Sequence, residues 1–232
     1  LIGTASSSPS GAEFGELNRY SSSDDVADEY GDGSDVHTAS EAVEQMGASY
    51  WYVIVLEEVE HTETLNDGDT ISNLPVLGDP DVTASVGDIE ASTAIPPSTP
   101  TEGSLYNPAS GAFASAETDV DVTYQTADFG ALQPLQYDAN RIGMADRKMG
   151  KEHIGVLDEL VSFASGQDMG AVAAGVNGNT AADDDAALTE YHDVFGYVPS
   201  GDLIAIAHKS SDAVEGYVLG QLATNDPWFD PF

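Results

Sequence analysis

Polar and apolar positions alternate most cleanly around Val120, Val122 and Tyr124, with Asp119, Asp121 and Thr123 between them. A period of two sends successive side chains to opposite faces, so this segment predicts a half-buried strand. Tyr50-Trp51-Tyr52-Val53-Ile54-Val55-Leu56 is apolar throughout and rich in β-branched and aromatic residues. It predicts a strand covered on both faces, inside a sandwich or beneath a neighbouring subunit. Asn66-Asp67-Gly68-Asp69 is a turn signal, and Asp81–Ile89 alternates like a one-sided strand. Between Lys151 and Ser165, Ile154, Leu157, Leu160, Val161 and Ala164 keep helical spacing, although Gly155 lowers the propensity. Asp183-Asp184-Asp185 ahead of Leu188, Tyr191 and Phe195 predicts a second helix with an acidic start. Leu203–Ala207 and Val214–Leu219, separated by Lys209-Ser210-Ser211-Asp212, predict a hairpin.

Elsewhere the pattern fades. Residues 1–45 carry Ser, Gly and Asp runs (Ser6-Ser7-Ser8, Ser21-Ser22-Ser23-Asp24-Asp25, Gly31-Asp32-Gly33) and predict an irregular acidic arm that orders only against other subunits. Phe14, Leu17 and Tyr20 offer at most one helical turn. A start at Leu1 without methionine fits either a cleaved leader or propeptide or a sequence that begins late in the chain. Residues 92–111, with Ile95-Pro96-Pro97-Ser98-Thr99-Pro100, predict a Pro-rich loop within one β-rich domain spanning 46–232.

Charge changes the picture more than any motif. The chain has 232 residues, 41 Asp plus Glu, 6 Lys plus Arg and a net charge of −35. Such imbalance often means disorder, but 41% hydrophobic and 8% aromatic content supplies a core. A polyanionic skin opposes direct nucleic-acid binding, which needs a basic face. No apolar run is long enough for a membrane-spanning helix. The absence of cysteine excludes disulfides and thiolate metal sites. At ordinary ionic strength this surface repels itself, whereas molar salt shrinks the Debye length to roughly 3 Å. The composition therefore predicts a protein of a halophile, or of a virus that infects one.

Candidate chemistry is sparse. His37, His61, His153, His192 and His208 form no metal-binding helical pair, and His192 beside Asp193 lacks a recognisable nucleophile. No nucleophile elbow or phosphate-cradling glycine loop occurs, so no enzyme, catalytic residue or cofactor site is expected. Asp67/Asp69, Asp79/Asp81, Asp119/Asp121 and Asp183–Asp185 can hold structural cations from a saline medium, but in so acidic a chain such clusters also arise from solvation alone. The cations are more informative. Arg141, Arg147, Lys148 and Lys151 are four of six within eleven positions. Either they pair locally with Asp138, Asp146 and Glu152, or they form a subunit interface where a basic spot meets a neighbour's acidic skin. Anionic lipid is a weaker third target.

Halophilic composition, the segments Tyr50–Leu56 and Tyr197–Leu219, and an acidic first stretch together make the chain resemble the larger of the two small major capsid proteins of halosphaeroviruses. These are icosahedral, internal-membrane-containing viruses of haloarchaea. The resemblance implies a mostly β protein, a single jelly-roll sandwich of two four-stranded sheets with one or two short helices. It also implies a virion location, capsomers shared with a second capsid protein, and a viral membrane beneath the shell. A rival resemblance is to the α+β tailed-virus capsid fold, in which an extended-loop strand such as Val120–Tyr124 leads to a spine helix through Leu157 and Leu160. A secreted haloarchaeal surface or binding domain is a further alternative, although the chain lacks the Asn-x-Ser/Thr acceptors usual there.

Overall fold

The computed structural model describes residues 1–84, 87–90, 92–93, 104–108, 110–132, 139–145, 149–174, 203–206 and 212–225. The chain is a mixed α/β protein. Its backbone is β3 (Trp51–Leu65), a strand of 15 residues that begins at the doubly apolar segment and continues into a polar, alternating half. β1 (Ile2–Ala5) pairs with it in parallel, Ile2 opposite Ile54, and β2 (Asn18–Tyr20) pairs antiparallel, Tyr20 opposite Trp51. Its outer half runs antiparallel to β9 (Val120–Ala127), from Glu58 opposite Ala127 to Leu65 opposite Val120. β9 in turn pairs with β4 (Asp81–Ala84), which forms a hairpin with β5 (Gly87–Glu90).

A second, wholly parallel sheet contains β10 (Arg141–Gly143), β11 (Gly170–Ala174) and β12 (Leu203–Ile206). The two sheets are stitched together. Ile2 bridges Met144 in parallel, and the Ala145 N–H donates to the Ile2 carbonyl at 2.7 Å. Parallel neighbours need crossovers, and α3 (Ile154–Gly166) is the one between β10 and β11. A small sheet of β6 (Ser92–Thr93), β7 (Ser104–Tyr106) and β8 (Phe113–Ser115) completes the described strands.

Alternation along β3 explains the layering. Ile54 and Leu56 join the cluster formed with Leu157, Leu160 and Val161 of α3. Val53 and Val55 face the other way, to Val36, Ala39 and Val43 of α2 (Asp35–Gln45) and Val26 of α1 (Ser23–Tyr30). α4 (Val214–Thr224) packs on α2 on this second side. Burying one Leu or Ile stabilises by about 1.5–3 kcal/mol, so the strand earns its place twice. A third cluster, with Leu65, Ile71, Val82, Tyr106, Phe113 and Val122, fills the outer end of the β3–β9 pair.

Three expectations are corrected. Residues 1–45 are not an irregular arm: they supply β1, β2, α1 and α2 to the core of the same chain. Ser22 and Ser34 cap the two helices by accepting from the Asp24 and His37 N–H groups, at 3.2 and 3.3 Å. The stretch 92–111 contains β6 and β7 rather than loop alone. The predicted hairpin is instead a parallel strand, β12, and a helix, α4, placed against different neighbours. Parallel pairing also departs from the two antiparallel four-stranded sheets of a jelly roll: the described strands form sheets of six, three and three. By contrast β9, the β3 core segment and α3 lie where periodicity placed them. The helix expected after Asp183–Asp185 lies outside the described residues.

Candidate docking groove

A cavity of 710 Å³ opens where the parallel strands end against the α2 and α4 C-termini. Ile2, Ile54 and Ile142 line it from three adjacent strands, Trp51 and Leu17 flank them, and Leu219 and Leu222 wall it from α4. Trp51 is held in place because its indole N–H donates to the Ser40 hydroxyl at 2.9 Å, a fully buried bond that removes the cost of interring the N–H. Tyr50, 40% exposed, stands at the rim in edge contact with Tyr52, ring centroids 6.0 Å apart.

One arginine lines this groove and another reaches its rim through Tyr50. The Arg19 guanidinium, on β2, sits 4.0 Å over the Tyr50 ring, an attraction worth about 0.5–1 kcal/mol at an exposed site. Arg141, the first residue of β10, lines the cavity and is exposed; its Nη1 donates to the Asn140 carbonyl at 2.7 Å. Gly170 makes room for it: a Cβ there would lie 3.0 Å from the Arg141 Cδ. Among the described residues neither arginine is within ion-pair distance of a carboxylate, in a chain with 41 acids. None of the described lining residues is acidic or a histidine. The described lining is therefore mainly apolar, with Arg141 its one charged side chain.

Of the predicted basic cluster, the structure places Arg141 here. Lys151 opens the short turn leading into α3, and Arg147 and Lys148 lie outside the described residues. Glu152, proposed as a local partner, approaches the His153 Nδ1 at 3.2 Å. Sequence reasoning passed over Arg19; the available signal was a scarce cation next to Tyr20 in a chain almost without cations.

The described histidines make structural contacts. His37 is buried, its Nδ1 accepting from the Gly33 N–H at 2.9 Å, and buried His153 accepts likewise from Gly150 at 3.0 Å. His61 stacks on Tyr124 at 5.3 Å and contacts the Thr126 hydroxyl at 2.9 Å. His192, Asp193 and His208 lie outside the described residues. Asp67 and Asp69 accept from the Ser115 and Asn66 N–H groups, and Asp121 accepts from Thr64. Among the described residues no group of three or more metal-ligating side chains converges.

A smaller cavity of 430 Å³ lies beside His61, with exposed Val59 and Leu74 and with Glu159. Burial, with Asp158 adding repulsion, pushes the Glu159 carboxyl above its ordinary value. Next to it, burial opposes ionisation of Glu63. The Ser72 hydroxyl and N–H, the Tyr124 hydroxyl and the nearby His61 outweigh that effect and hold Glu63 below its ordinary value.

No family model, curated protein or solved structure matches the chain.

Proposed function

We propose that this chain is a structural subunit that assembles with copies of itself, as a capsid protein of a virus infecting a halophilic archaeon. The observation that carries the reading is a pair of arginines, Arg141 lining an apolar groove and Arg19 over Tyr50 at its rim, neither within ion-pair distance of a carboxylate among the described residues. With 41 acids available, cations serving only internal stability would be expected to pair within the chain. Cations left open at an apolar rim take their counter-charge from another molecule. For a polyanion working in strong salt, the most abundant such surface is a second copy. A second capsid protein sharing the capsomer, and a membrane beneath the shell, extend the same reading. Direct contact with nucleic acid is not part of it, and neither is catalysis.

Within the capsid reading, the long β3–β9 ribbon and the helix α3 that follows it favour the α+β tailed-virus type over the jelly roll. The test is electron microscopy of the protein at molar salt. Closed shells are expected. Tubes or sheets would keep self-assembly and overturn the capsid; a monomer at every salt and protein concentration would overturn both.

A further inference from the structure

Residues 72–75 cross the outer half of the β3–β9 pair between two fixed ends. At one end the Ile71 N–H donates to the Gly111 carbonyl, and at the other the Leu77 N–H donates to the Gln125 carbonyl, both at 2.9 Å. Ile71 and Pro75 are buried, whereas Ser72, Asn73 and Leu74 between them are exposed, Leu74 at 45%. Two side chains hold the exposed residues down. The Glu63 carboxylate accepts from the Ser72 N–H at 2.9 Å and from the Ser72 hydroxyl at 2.6 Å. The Tyr124 hydroxyl accepts from the Asn73 N–H at 3.3 Å and from the Asn73 amide at 3.1 Å, and itself donates to Glu63 at 2.9 Å. Each of these bonds therefore runs to one carboxylate, directly or through Tyr124. Beneath lies the 430 Å³ cavity: residues 72–75 form one wall, and Val59, His61, Ala127, Phe129 and Glu159 belong to the others. Its lining residues and their chain neighbours all fall among the described residues.

We infer that residues 72–75 are a lid on this cavity, latched by ionised Glu63 and released when that carboxylate takes up a proton. An ionised carboxylate is an acceptor on both oxygens, and its bonds are stronger than neutral ones. Protonation adds a donor among the three donors that Glu63 faces and removes the charge that strengthens them. With the lid lifted, Glu63 returns toward its ordinary value of 4.5, so proton uptake favours the lifted state and opening grows as pH falls below that value. The other titratable neighbours do not supply this response. His61 on β3 strengthens the latch by attracting the Glu63 charge. The Tyr124 hydroxyl, and that of Tyr106 buried in the same cluster, are pushed up by burial and stay neutral in this range. Asp128 bonds the Gly130 N–H across the cavity, and Glu159, raised by burial and by Asp158, loses its charge before the latch opens. The lid moves within one chain, so it works whether or not copies assemble.

Amide hydrogen exchange of the full chain at molar salt, corrected for intrinsic rates, reads the lid residue by residue. Protection of the Ser72 and Asn73 N–H groups should fall about tenfold or more between about pH 7 and about pH 3.5, while Ile71 and Leu77 keep theirs. Glu63→Gln should show the low protection already at neutral pH, with little further change in acid. His61→Gln should keep the acid response, and Tyr124→Phe should loosen Asn73 more than Ser72. Wild-type protection that stays constant with pH would overturn the lid. So would an equal loss at Ile71 and Leu77, because the segment would then have no motion of its own. An acid response that survives Glu63→Gln, or that disappears with His61→Gln, would overturn Glu63 as the latch.

Discussion

Ser40 sits at zero exposure with its hydroxyl accepting from the Trp51 indole, so one small residue fixes a wall of the groove. Ser40→Ala should leave a buried N–H without an acceptor and destabilise by about 1–3 kcal/mol, read by denaturant unfolding in molar salt; an unchanged midpoint would show the indole has another partner. Glu63 gives a pH signature. Its carboxyl is held below the ordinary value of 4.5, so below that value the unfolded chain takes up the proton first and stability rises with pH. Glu63→Gln should therefore cost about 1 kcal/mol near neutrality, kept small by solvent screening. The difference from wild type should vanish as pH falls through the depressed value. Glu159 has the opposite sign: Glu159→Gln should stabilise at neutral pH and lose that advantage in acid. Little of this was legible in the sequence. Arg141 stood out through the scarcity of cations, but nothing local to Arg19 or Ser40 announces contacts with Tyr50 and Trp51, which arise only when β2 and α2 close on β3.

Elements whose burial pattern repeats with a plain period could be read in advance, namely β9, the first half of β3, and α3. Those built from small residues could not. α2 buries Val36, Ala39, Ser40 and Val43, a stripe at helical spacing whose Ala and Ser contribute too little hydrophobicity to stand out among so many acids. α4 was misread for a related reason: Val214, Tyr217 and Val218 favour strands, yet its buried positions are Glu215, Gly216 and Gly220. The two glycines, one turn apart, were the missed signal. A Cβ on Gly216 would lie 2.5 Å from the Ala39 carbonyl oxygen, and one on Gly220 would lie 2.8 Å from that of Val43. Each would strike the α2 backbone, and the Gly220 Cβ would also lie 2.7 Å from the Met46 Cβ, which no rotamer change can move. Alanine is normally the better helix former by about 1 kcal/mol, but here overpacking of about 1–3 kcal/mol wins. Gly216→Ala and Gly220→Ala should both lower thermal stability, and a gain from either would mean that α2 and α4 are not packed this closely.

For the molecule as a whole, the decisive quantity is the spacing of like charges. Dividing the 11229 Å² of surface by 41 acids gives each roughly 270 Å², or about 16 Å between neighbours if they were spread evenly. The Debye length is already about 10 Å at 0.1 M salt, so an even distribution would need no more than ordinary ionic strength. The acids are not even. Glu58 and Glu60 share one face of β3 at about 7 Å, two strand residues apart. Screening at that separation requires the roughly 3 Å Debye length of molar salt. The melting temperature should therefore keep rising from about 0.1 M to molar NaCl instead of levelling off. Glu60→Gln should flatten part of that rise by removing one close pair. A melting temperature constant across this range would separate the acidic composition from any adaptation to salt, and with it the habitat on which the capsid reading leans.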